Sequence, residues 1–79
     1  MEIKPVLISK IKSYLTILGL VPNSQKGDCE HWIGEYKEAT GKSVIICVSE
    51  EKMPVIAIIA MLKELNEDLN DFLRIISLL

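Results

Sequence analysis

Few residues of this 79-residue chain have the type and spacing that chemistry needs. Cys29-Glu30-His31, with Asp28 and Glu35 close by, reads as a fragment of a metal site. Cys29 and His31 lie two apart and share one side of an extended strand. Cys47 adds a third ligand if its strand lies alongside. Zinc wants four ligands, usually in spaced pairs, and no fourth is evident, so the expectation is no bound metal. The same pair resembles a Cys-His nucleophile, but a thiolate nucleophile also needs an oxyanion site and a pocket. Within its apolar run Cys47 reads as a small core residue.

Ala39-Thr40-Gly41-Lys42-Ser43 looks like the end of a phosphate-binding loop. That motif needs a glycine where Tyr36 stands. It must also open into a helix, whereas Gly-Lys-Ser here leads into Val44-Ile45-Ile46. A turn is the expectation. Glu64, Glu67, Asp68 and Asp71 bring carboxylates together, but capping and a solvated helix face account for their spacing. Trp32 and Tyr36 could stack a ligand, yet on one face of a small sheet they read as core or as lying under a partner. No catalytic set emerges. The expectation is a protein without enzymatic activity and without a cofactor.

Composition agrees. Seventy-nine residues allow a single domain, 1–79, and leave little room for a substrate pocket. The chain is 49% hydrophobic, too apolar to remain unfolded. It holds twelve Ile, ten Leu and five Val but four aromatics, more branched aliphatics than a core this small readily hides. With net charge −2, and Lys4, Lys10 and Lys12 as the nearest thing to a basic stripe, nucleic acid is not an expected partner. The longest apolar run, Met53 to Leu62, is too short to span a bilayer, so no membrane is expected. Two widely spaced cysteines and a start without a signal-peptide pattern indicate the cytoplasm.

The elements that must position these residues follow from periodicity. Leu7, Ile11, Tyr14, Leu15 and Leu18 make one helical stripe, with Pro5 in the first turn and Gly19 as the stop. Residues 23–28 read as a polar surface loop. Glu30 to Glu38 alternates as a half-buried strand with Trp32, Gly34 and Tyr36 on one face. Val44 to Val48 is apolar throughout, as for a strand covered on both faces. From Val55 to Leu79 a three-four spacing is unbroken, which read alone gives one long helix or a coiled coil. The β-branched residues Val55, Ile56, Ile58 and Ile59 favour instead a strand over about 53–61. A helix from Glu67 to the C-terminus then follows, with Asn66 as N-cap. The expected fold is α+β: helix, three-stranded antiparallel meander, helix (α-β-β-β-α), with the helices packed on one face of the sheet.

In the last helix Leu69, Phe72, Leu73 and Ile76 form a stripe with Leu79 on its flank, while Ile75 and Leu78 fall outside it. Apolar residues on more than one side call for burial on more than one side. Leu69, Phe72, Ile75, Ile76, Leu78 and Leu79 are therefore the expected partner surface, most simply in a homodimer.

The order of elements resembles the small domains of the type III secretion chaperone-like superfamily, including its YbjN-like members. The likeness rests on the opening amphipathic helix, the turn Gly19-Leu20-Val21 and the aromatic strand Trp32 to Lys37. It extends to a hairpin of Val44–Val48 with Val55–Met61 and the helix Leu69–Leu79. Members of that superfamily continue with two more strands and a last helix. The resemblance implies a dimeric chaperone or adaptor that binds protein and is not an enzyme. It carries over no functional residue. The alternative expectation is a metal- or small-ligand-binding regulator using Cys29, His31 and the sheet aromatics Trp32 and Tyr36.

Overall fold

The computed structural model describes residues 3–35 and 40–79. Its order is β1 (Val6–Leu7), α1 (Ile8–Leu18), β2 (Leu20–Lys26), β3 (Cys29–Gly34), β4 (Ser43–Cys47), β5 (Lys52–Met53), α2 (Val55–Leu65) and α3 (Leu69–Ser77). This is an α+β fold. Its main sheet is antiparallel with order β2-β3-β4, and β1 pairs with β5 in a separate two-stranded ribbon.

The first helix begins later than Pro5. Val6 and Leu7 stay extended because they pair with Met53 and Lys52, and Ile8 N donates to Glu51 O at 2.9 Å. A partner far along the chain sets this boundary. The stop is local: Gly19 takes φ +97° and closes the last turn.

The segment expected to be a loop over 23–28 is most of strand β2. Lys26 pairs with Cys29 across Gly27-Asp28, and Gly27 sits at φ +61°. Asp28 is not at positive φ. Glycine alone at positive φ in the first central position marks a type II′ hairpin, whose twist matches the strands. Beyond Leu20 and Val21 the strand is exposed, so it carries no apolar alternation to read. It is an edge strand, where Pro22 is tolerated, and its register shifts between Pro22 and Ser24.

The meander is thus one element earlier than expected, because the strand expected over 53–61 is helix α2. Ile58, Met61, Leu62 and Leu65 are buried at i, i+3, i+4 and i+7. That face outweighs the modest helix cost of β-branched residues, a few tenths of a kcal/mol each. Nor is there one long helix. Asn66 takes φ +55°, with its N–H bonded toward Lys63 O and the Glu67 N–H to Leu62 O. Those bonds make a Schellman motif, so Asn66 ends α2 rather than starting α3. Asp68 is the N-cap of α3, its carboxylate accepting from Asp71 N at 3.1 Å.

The core is continuous. Ile11, Tyr14, Leu15, Leu20, Ile58, Leu65 and Phe72 are almost wholly buried and join Trp32, Val44 and Ile46 from the sheet. Strand β4 alternates: Val44 and Ile46 point inward, while Ile45 is 65% exposed. The expectation of cover on both faces fails because the helices occupy one side. α2 packs on β4, and α1 on β2 and α3.

Candidate functional site

Two groups of residues need placing: the cysteine-histidine constellation and the apolar surface of the last helix. Strand register sorts the first. On β3, Trp32 turns inward and is buried, whereas Cys29 and His31 lie on the opposite, outer face. Cys29 stands across from Cys47, and His31 across from Ile45. Ser24 pairs with His31 on the other side. Ser24, Lys26, Cys29, His31 and Ile45 line a shallow depression of about 360 Å³ on this face. Trp32 therefore does not share a surface with Cys29 and His31. Tyr36, proposed beside it, lies outside the described residues.

Cys47 is exposed, not a core residue, because the alternation of β4 turns it outward with Ile45. Both cysteines are free thiols. Cys29 is raised above its usual thiol range. The first cause is the hydrogen bond it shares with the Cys47 side chain, and desolvation and the charges of Cys47 and Asp28 add to it. Among the described residues no group of three or more His, Cys, Asp or Glu is placed to hold a metal ion.

Glu30, Lys42 and Glu67, all singled out by sequence, are used in tertiary contacts. Glu30 accepts from the Trp32 indole N–H at 3.0 Å and from Lys12 Nζ at 3.3 Å, tying α1 to β3. Lys42, the lysine of the phosphate-loop look-alike, pairs with Glu67 at 3.0 Å, joining the start of β4 to the α2–α3 link. Asp71 pairs with Arg74 at 2.8 Å on the surface. Glu64 lies exposed along a cleft between β4 and α2.

The last helix divides. Phe72 is fully buried, its ring edge-on to Tyr14 with centroids 4.8 Å apart. It is a core anchor in this chain. Leu69, Ile75 and Ile76 are partly buried against the core. Leu78 is 82% exposed and Leu79 is also exposed. Sequence reasoning missed a second apolar exposure, on α2, where Ile56 is 80% exposed and Ile59 is exposed too. The three-four spacing would have revealed it: on a helix keeping Ile58, Met61, Leu62 and Leu65 inward, Ile56 and Ile59 must face out. No helix of the described residues is long and apolar enough to cross a membrane. No known protein family, curated protein or solved structure significantly matches the chain.

Proposed function

We propose that this protein is a small cytoplasmic protein-interaction module, homodimeric and adaptor- or chaperone-like, which works by burying apolar surface and not by catalysis. The observation that carries the reading is the end of α3. Phe72 secures the helix in the core while Leu78 stays 82% exposed and Leu79 flanks it. Large aliphatic side chains exposed at a helix terminus lose hydration cost when a second surface covers them, roughly 1.5–3 kcal/mol for a fully buried leucine. The resemblance to type III secretion chaperone-like domains, which act as dimeric protein binders, supports the same role.

Sedimentation equilibrium from micromolar to millimolar concentration tests it. The wild-type chain should populate a dimer. Leu78→Glu should shift it toward monomer by at least tenfold in dissociation constant, about 1.4 kcal/mol, with an unchanged circular dichroism spectrum. A wild-type chain that remains monomeric throughout, or a Leu78→Glu chain that associates like the wild type, rejects the proposed surface.

The regulator reading keeps one observation in its favour: Cys29 and His31 share the outer-face depression. Native mass spectrometry with added zinc discriminates, since a regulator of that kind retains one ion and the interaction module retains none.

A further inference from the structure

Cys29 and Cys47 are eighteen positions apart, yet the sheet sets them directly opposite one another on β3 and β4. Their pairing type follows from the ladder. Gly34 N donates to Lys42 O at 2.8 Å, and Val48 N donates to Asp28 O at 2.7 Å. Hydrogen-bonded pairs recur at every second position of an antiparallel ladder, so the pair 29·47 falls between two of them. In such non-hydrogen-bonded pairs the Cα atoms stand roughly 4.5 Å apart and the side chains are closest. That separation lies at the short end of the range a disulfide accepts, roughly 4.4–6.8 Å. Both side chains project from the outer face, Cys47 exposed and Cys29 half-exposed, so a small reagent reaches them without unfolding the core. The pairing register puts the two side chains on the same face at facing positions.

We propose that Cys29 and Cys47 form a reversible dithiol–disulfide site, oxidised by a low-molecular-weight disulfide of the glutathione class. The more exposed Cys47 thiolate attacks one sulfur of the reagent, forming a mixed disulfide and releasing one thiol. The Cys29 thiolate then attacks the Cys47 sulfur, the protein disulfide forms, and the second reagent thiol leaves. The protein loses two electrons and two protons, and the reagent disulfide gains them as two thiols. A bridge on the open outer face is within reach of thiol exchange, which makes the site labile rather than structural. Oxidation joins β3 to β4 covalently across the connection that carries Lys42, on a face separate from the α3 surface.

The test uses the intact chain in buffers of oxidised and reduced glutathione, quenched by alkylation and read by mass spectrometry. The expected product is a monomer lighter by two hydrogens, whose tryptic fragment 27–37 is linked to fragment 43–52. Excess reduced glutathione should restore both thiols. Bridge formation should be at least about tenfold faster in the native chain than in urea, because the sheet holds the second thiol in place. Cys29→Ser and Cys47→Ser should each take up one glutathione and form no bridge. Two alkylatable thiols after oxidation, mixed disulfides alone, disulfide-linked dimers, or equal rates in native and unfolded chains would each overturn the proposal.

Discussion

Tyr14 is the residue on which the interior is least satisfied. Its ring packs on Phe72, but its hydroxyl is buried with no hydrogen-bond partner among the described residues. Burial raises the phenol above its usual value near 10, and the charges of Glu67 and Asp71 add to the shift. A raised folded-state value means the neutral phenol is favoured in the native state. Its contribution is fully present below the unfolded phenol range and is lost as pH rises beyond about 10. Tyr14→Phe should therefore flatten the alkaline limb of a urea-melt stability profile. At pH 7 it should be neutral or stabilising by up to about 1 kcal/mol, since it removes an unpaired polar group. Glu30 is the opposite case. Its carboxylate satisfies the buried Trp32 indole, so Glu30→Ala should cost about 1–3 kcal/mol in urea unfolding. Glu30→Gln keeps the acceptor, loses the Lys12 ion pair, and should cost well under half as much.

At the scale of elements, positive-φ positions set where elements end and turn. Asn66 closes α2 and lets the chain turn into α3. Asn66→Gly should be neutral or mildly stabilising, whereas Asn66→Ala should cost about 1 kcal/mol, read from the shift in urea midpoint. Gly27 closes the β2–β3 hairpin, and a Cβ added there would meet nothing within 4 Å. Gly27→Ala should thus destabilise by about 1 kcal/mol through backbone conformation alone. These positions also show what was readable. The left-handed stop at Gly19 follows from a glycine after an apolar stripe and before a proline, all of them local signals. Gly27-Asp28 carried an equally local hairpin signal. The exposed polar strand in front of it hid that signal, because its hydrogen bonds to β3 leave no mark in side-chain type. Over 53–61 two local signals conflicted. Branching at Cβ favoured a strand and the three-four spacing a helix, and the buried face decided.

At the scale of the whole molecule, a chain of this size has roughly 4–12 kcal/mol of stability in total. Phe72 connects α3 to Tyr14 of α1 and is fully buried. Phe72→Ala should cost about 3–5 kcal/mol, enough to leave much of the population unfolded near the melting region of the wild type. Thermal denaturation followed by circular dichroism would show it as a large fall in Tm. This separates the two ends of the partner surface drawn from sequence: Phe72 acts within the chain, Leu78 acts beyond it. The surplus of aliphatic residues is likewise partitioned by the fold. Nine of the twenty-seven branched aliphatics are buried, while Ile17, Ile45, Ile56, Ile59, Leu78 and Leu79 are exposed on α1, β4, α2 and the residues that follow α3.

The sequence by itself determined that this is a small α+β chain, where α1 ends, and that the last segment is an amphipathic helix. Each of these rests on interactions within a few residues: a periodic apolar stripe, a glycine stop, acidic residues in a first helical turn. Only the tertiary structure decided that Val6 and Leu7 are extended, that 55–65 is helical, that β4 has one open face, and that Cys29 meets Cys47. Each of those depends on what lies opposite. A strand's partner and register are set by hydrogen bonds between distant backbone groups, which residue type scarcely encodes. So the cysteines that looked eighteen positions apart in the chain became neighbours through the register of a sheet.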